Sequence, residues 1–294
     1  QYAGMGKDFY DTYEEAKKVY QLAGEVSGLD MEALCFTENE ELNITEYTQI
    51  AMLVTEVAIL KVLESKGVKA DATAGLSLGE YGALAAADVM DLKDLFYIIR
   101  KRGIFMQEAY PEGGAMTAVL GLESDRIEEI CRQTEGIVTI ANYNCPGQIV
   151  ITGEEQAVLA AAQACSEAGA KRCVPLKVSG PFHSALLKGA GEKLEKELIG
   201  VQLRKPAIPY ISNVDALDVV EAAPVKTLLK NQVSNSVCWQ QTIEKMIADG
   251  IDLFIEIGPG KTLSGFMKKI DKDVKCMNID KVADLDKVLE ELSC

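Results

Sequence analysis

The chain has 294 residues, 48% hydrophobic and 26% charged, with a net charge of −15 and a single histidine. That balance describes a globular chain with room for one large domain or two modest ones. It excludes a general nucleic-acid binder, which needs clustered Lys and Arg against phosphate. The apolar stretches are too short or too amphipathic for a membrane span, and the opening Gln1-Tyr2-Ala3-Gly4 carries no signal-peptide pattern. Because the first residue is not Met, an N-terminal piece is expected to precede it. The eight cysteines are scattered, without C-x-x-C or metal-finger spacing. They point to reduced thiols in a cytoplasmic compartment, and no metal site is assigned.

In chain order, residues 1–112 read as helices around one short strand. The periodicity predicts a long amphipathic helix over 47–66, and Ala72-Thr73-Ala74-Gly75 reads as a small-residue strand. The chain turns helical again from Ser77, and a further helix is predicted over 91–110. Between 113 and 182 the rhythm changes. Strands at 115–122, 138–142, 148–152 and 172–178 alternate with helices at 125–134 and 155–168, an order of βαββαβ that is ferredoxin-like. Asn144-Cys145-Pro146-Gly147 makes the turn between the middle strands. From His183 onward, helices at 183–199, 225–234, 239–249 and 281–292 alternate with strands at 208–212, 252–257 and 275–278. This pattern predicts a parallel sheet covered by helices. The simplest assembly is one α/β domain made of 1–112 and 183–294, interrupted by a small domain at 113–182. A cleft is expected at the two joints.

Three residues carry chemistry. Gly75-Leu76-Ser77-Leu78-Gly79 has the G-x-S-x-G pattern of a nucleophile elbow, placed between a predicted strand and a predicted helix. The same serine also fits a helix-capping box, Ser77-Leu78-Gly79-Glu80, in which its oxygen and the Glu80 carboxylate would only satisfy free amides. In the elbow reading, the Leu78 amide at the helix start is placed to stabilise an oxyanion. His183, in Gly180-Pro181-Phe182-His183-Ser184, is the one imidazole available as a base, and it falls at a predicted joint. Arg102 shares a 3-4-3-4 stripe with Leu92, Leu95, Ile99 and Met106, so its guanidinium points at the core and requires an anion. Either an internal Asp or Glu, or the carboxylate of a ligand, meets that requirement. Gly258-Pro259-Gly260, after the strand 253–257, lacks the ending of a phosphate loop and reads as a strand-to-helix turn.

Further stretches complete the pattern: Glu80-Tyr81, Arg102-Gly103 with Met106-Gln107, and Asn142-Tyr143-Asn144 through Pro146-Gly147-Gln148. Phe182-His183-Ser184, Ser212-Asn213-Val214-Asp215 and Glu256-Ile257-Gly258-Pro259-Gly260-Lys261 follow in order. Together with the elbow, these span nearly the whole chain, which resembles the malonyl-CoA:acyl carrier protein transacylases and the acyltransferase domains of polyketide synthases. The resemblance implies an α/β-hydrolase-like domain carrying the ferredoxin-like insertion. It implies malonyl transfer from malonyl-CoA to the phosphopantetheine thiol of acyl carrier protein, with no cofactor, no nucleic acid and no membrane.

On the same ground, Ser77 is the nucleophile and His183 its base. Leu78 supplies an oxyanion amide, Arg102 holds the malonyl carboxylate, and Gln232 aligns with a residue whose backbone carbonyl orients the imidazole. Phe182 resembles the malonyl-selective pattern. Two departures stand out. Leu76 replaces the histidine that the family usually places before the serine. The G-Q-G loop, which supplies the second oxyanion amide, lies ahead of Gln1 by this comparison. Two rival enzymes remain at this stage, a serine esterase or thioesterase and a polyketide-pathway acyltransferase using another acyl-CoA. A binding module that has lost its chemistry is the non-enzymatic rival. Any pH dependence near neutrality is expected to come from His183.

Overall fold

A computed structural model describes residues 1–178 and 180–292. Its organising element is the helix Thr45–Ser65, whose residues Ile50, Leu53, Val54, Val57, Ala58, Ile59 and Val62 are all fully buried. A helix apolar on nearly every side has to be enclosed by others. Helices Glu14–Ser27 and Leu92–Ala109 pack against it, and Leu92–Ala109 packs in turn on Lys188–Leu198. The predicted stripe is real. Leu95, Ile99, Arg102 and Met106 are buried, and Leu92 lies partly buried against the same core.

The middle of the chain builds its own sheet from β1 (Gly114–Leu120), β2 (Val138–Cys145), β3 (Gln148–Glu154) and β4 (Arg172–Pro175). Strand order is β2-β3-β1-β4, and each neighbouring pair is antiparallel. Alternation along the strands sorts the two faces. Val119, Ile140, Ile149 and Ile151 point to helices Ser124–Gln133 and Glu155–Glu167. Ala118, Ala141 and Val150 form a separate cluster with Met116, and Phe182 packs against it. That second face is the one turned toward His183. Pro146-Gly147 closes the β2–β3 hairpin with Gly147 at φ 70°, where glycine carries no Cβ penalty. Beyond the hairpin pairing, Ala141 and Tyr143 exchange backbone hydrogen bonds with Val237, which ties the small sheet to the segment after Gln232.

Of the remaining strands, the one predicted over 208–212 is cut to two residues, while those predicted over 252–257 and 275–278 form with ends within one residue of expectation. β5 (Tyr210–Ile211) and β6 (Asp218–Val219) form an antiparallel pair, while β7 (Leu253–Ile257) and β8 (Lys275–Ile279) pair in parallel. Residues 72–75 contribute one parallel bridge, Thr73 to Tyr210, in place of a full strand. Pro206 and Pro209 explain part of this, since neither can donate to a ladder; one precedes the predicted strand 208–212 and the other falls within it. The expected continuous parallel sheet is therefore, among the described residues, a set of small pieces. Helix Thr262–Ile270 crosses between β7 and β8 and was not distinguished in the sequence. The Glu256 carboxylate accepts from the Leu263 and Ser264 amides at 2.9 and 2.7 Å and from the Ser264 hydroxyl. An internal anion thus occupies the helix start after Gly258-Pro259-Gly260, which is a turn, as its spacing indicated. Among the described residues no helix is long and apolar enough to cross a membrane.

The sharp turn at 75–79 depends on one glycine. A Cβ on Gly75 would overlap the Gly79 carbonyl, whereas a Cβ on Gly79 meets nothing within 4 Å. Gly75→Ala should therefore destabilise the fold by ~2 kcal/mol or more, and Gly79→Ala should stay within ~1 kcal/mol of wild type. Denaturant unfolding of the two variants checks this. Equal effects would show that the turn is not held by that contact.

Candidate active site

Ser77 stands between the Thr73 bridge and helix Gly79–Ala86, with φ at 53°, a left-handed value that costs a non-glycine residue about 1 kcal/mol or more. One buried amide holds it there. Asn213 accepts from the Ser77 N–H at 2.6 Å through Oδ1 and donates to the Gly75 carbonyl at 2.7 Å through Nδ2. The capping-box alternative is not formed, because no side chain caps helix Gly79–Ala86. Instead the amides of Gly79, Glu80 and Tyr81 bond back to the carbonyls of Leu76, Ser77 and Leu78. The Leu78 N–H takes no part in that turn and lies at the positive end of the helix.

The Ser77 hydroxyl points to His183, with Oγ 2.7 Å from Nε2. On the other side of the ring, Nδ1 lies 2.8 Å from the backbone oxygen of Gln232. A carbonyl can only accept, so the imidazole proton sits on Nδ1. Nε2 is then the acceptor and the serine hydroxyl donates to it. His183 also has a left-handed backbone, φ 62°, and is 3% exposed. Burial first, and the Arg102 cation second, push its pKa down to about 4. The base is therefore neutral at physiological pH. This moves its titration away from the neutral range expected from its residue type.

Arg102 is 1% exposed and, among the described residues, has no carboxylate in hydrogen-bond contact. Its Nη1 donates to Gln49 Oε1 at 2.6 Å. Its Nη2 donates to Gln232 Oε1 at 2.9 Å and to Ser77 Oγ at 3.2 Å. The guanidinium carbon lies 5.5 Å from the centre of the Tyr81 ring, and Nε is buried without a partner. Of the two alternatives open in the sequence, an acid in direct contact is the one the structure does not provide. Burial lowers the Arg102 pKa, opposed by Tyr81 and Glu80. Gln232 occupies the middle of the site: its Nε2 donates to the Ser77 carbonyl at 2.8 Å and to Glu80 Oε2 at 2.6 Å.

Ser77, Leu78, Arg102, His183 and Gln232 thus converge on one place. Asn213, Gln49 and Glu80 join them without having been singled out as members of the site. Gln49 carried a weaker signal than Arg102, since it shares its helix face with Thr45 and Glu56 as well as Leu53. Asn213 offered none beyond its place in a matching stretch, and Glu80 stood only in a matching stretch and in the capping-box alternative.

A neutral imidazole is the competent base, so activity should be lost only as pH falls through the lowered pKa. Labelling of Ser77 by a fluorophosphonate should hold down to about pH 5 and lose half its rate near pH 4. Arg102→Gln should move that limb upward, because it removes the cation. A wild-type midpoint near the ordinary histidine value of 6.5 would contradict this picture.

The acyl transferase domain family matches residues 1–283. The malonyl CoA-acyl carrier protein transacylase of Bacillus subtilis (strain 168) is 43% identical over 284 residues, covering 95% of this chain and 90% of that protein. The crystal structure of malonyl CoA-acyl carrier protein transacylase from Clostridium perfringens superposes with a TM-score of 0.96 at 46% identity, covering 100% of this chain and 94% of that one. A malonyl-transacylase solved in complex with its type II PKS acyl-carrier protein gives a TM-score of 0.96 at 40% identity, covering 99% and 96%. The chain belongs to the acyl transferase family, among the malonyl CoA-acyl carrier protein transacylases.

Proposed function

We propose that this chain transfers a malonyl group from malonyl-CoA to the phosphopantetheine thiol of an acyl carrier protein, by way of a malonyl-serine at Ser77. The observation that carries the reading is a buried cation one hydrogen bond from the nucleophile and contacted only by neutral acceptors. Arg102 Nη2 is 3.2 Å from Ser77 Oγ, and its other oxygen partners belong to Gln49 and Gln232. An acyl group ending in a carboxylate supplies the missing anion while its thioester carbon lies at Ser77.

Ser77 Oγ attacks the thioester carbon as His183 Nε2 takes its proton. The Leu78 N–H holds the oxyanion, the C–S bond breaks, and CoA sulfur leaves with the proton from His183. In the second half, the carrier thiol gives its proton to His183, and its sulfur attacks the malonyl-serine carbonyl. The Ser77 oxygen leaves and recovers that proton. The Gln232 carbonyl stabilises the imidazolium formed in each half, the task an Asp performs in triads. No electrons move between redox states and a neutral imidazole serves as base, so we assign no cofactor.

The same reading gives the architecture as an α/β-hydrolase-like domain of residues 1–112 and 183–294, with a ferredoxin-like insertion at 113–182. The strand order β2-β3-β1-β4 with all neighbours antiparallel supports the insertion's description. The enzyme is assigned to the cytoplasm. Exposed Lys171, Arg172, Lys177 and Lys188 line the approach near the joint and suit an acidic carrier. An esterase acting on neutral esters has no use for Arg102. A carrier of polyketide synthesis is a second possible acceptor, in keeping with the partner of the relative solved as a complex.

Intact-mass and peptide measurements after exposure to malonyl-CoA should find one malonyl group on Ser77, lost again on addition of holo carrier protein. Arg102→Ala should lower the preference for malonyl-CoA over acetyl-CoA, as a ratio of kcat/KM, by about 100-fold. A label-free serine contradicts the transfer reading. An unchanged preference contradicts the role of Arg102.

A further inference from the structure

Glu80 is the one charged group in this network that the transfer steps leave unused. It follows the elbow as the second residue of helix Gly79–Ala86, is fully buried, and lacks the capping role that its spacing from Ser77 suggested. One oxygen, Oε2, accepts from Gln232 Nε2 at 2.6 Å and from the Asn213 N–H at 3.4 Å, while Oε1 has no partner. Burial raises its pKa to about 7, against the pull of Gln232, Asn213 and Arg102. Keeping a carboxyl in such a place is costly unless its acceptor oxygen is needed.

The need lies in the Gln232 amide, which has two unlike ends. Its NH2 end meets two groups that accept, the Ser77 carbonyl and Glu80 Oε2. Its oxygen end then necessarily faces the Arg102 guanidinium, 2.9 Å away. Turned over, the amide would set its own N–H groups against those of Arg102 and leave two acceptors facing an oxygen. We propose that Glu80 is a positioning residue for acyl selectivity. As a fixed acceptor for the Gln232 side chain, it keeps the amide oxygen on Arg102 and so keeps the guanidinium beside Ser77. The hold on His183 runs through the Gln232 backbone carbonyl, which does not turn with the side chain. Loss of Glu80 should therefore impair recognition of the acyl carboxylate and spare attack on a neutral acyl group. The inference rests on the malonyl-transfer reading.

The test compares wild type, Glu80→Ala and Glu80→Gln in the full chain. In E80A the malonyl-over-acetyl ratio of kcat/KM should fall about tenfold or more while acetyl transfer stays within about threefold. In E80Q, whose amide oxygen can accept the same two hydrogen bonds, the ratio should stay within about threefold of wild type. Equal loss with both donors in E80A would mean a purely structural role, and a retained ratio would mean no role; either overturns the proposal. So does an E80Q variant that loses the ratio, and this decides the matter alone if E80A does not fold. A substrate-free measurement separates this proposal from the function it rests on. The Gln232 side-chain amide protons, bound to two buried acceptors, should exchange slowly in wild type and E80Q. If wild type forms no malonyl-serine, the transfer reading fails, and the exchange rates still decide the role of Glu80. Rapid exchange in wild type overturns it.

Discussion

One buried glutamine joins every working part of this site. Gln232 accepts from His183 through its backbone oxygen and from Arg102 through its side-chain oxygen, and it donates to the Ser77 carbonyl and to Glu80. The His183 imidazole, the backbone of Ser77 and the buried cation are therefore fixed relative to one another by a single residue. All four partners are distant in sequence; Ser77 is the centre of the elbow and Glu80 follows it in the next helix. A change at one member reaches the groups bonded to it, while the backbone hold on His183 is independent of the Gln232 side chain.

The electrostatics follow from the same arrangement. A guanidinium enclosed by neutral amides bears the desolvation of a charge without the return of an ion pair. Its field helps to keep His183 unprotonated and opposes the rise in the Glu80 pKa that burial causes. In the malonyl-transfer proposal, an incoming acyl carboxylate relieves that imbalance. Two left-handed residues, Ser77 and His183, are the local cost of bringing hydroxyl and neutral imidazole within 2.7 Å, and Asn213 holds the first of them in place.

The sequence carried much of this because the informative residues broke local rules. An arginine on an apolar stripe and a lone histidine at a change of rhythm are visible without coordinates. The helices given bounds and the strands of the four-stranded sheet follow from periodicity, with ends within a few residues of those predicted, except that the helix expected from 183 begins at Lys188. The parallel sheet was overread, because alternation of helices and strands does not say how many backbone hydrogen bonds each strand makes, and Pro206 and Pro209 shorten one of them. The capping-box alternative for Glu80 fails for a related reason. Its spacing from Ser77 suits a cap, and only the fold shows that the carboxylate turns inward to Gln232. Gln49 and Asn213 owe their places to contacts across 53 and 136 residues of chain, to which local pattern is blind.

Having one histidine makes the central claim directly measurable. With ¹⁵N-labelled histidine, the spectrum of this chain contains a single imidazole. The account predicts a neutral ring at pH 7 and still at pH 5.5, protonated on Nδ1, with Nε2 showing the shift of a nitrogen that accepts a hydrogen bond. An imidazolium at pH 5.5, or a neutral ring carrying its proton on Nε2, would contradict it.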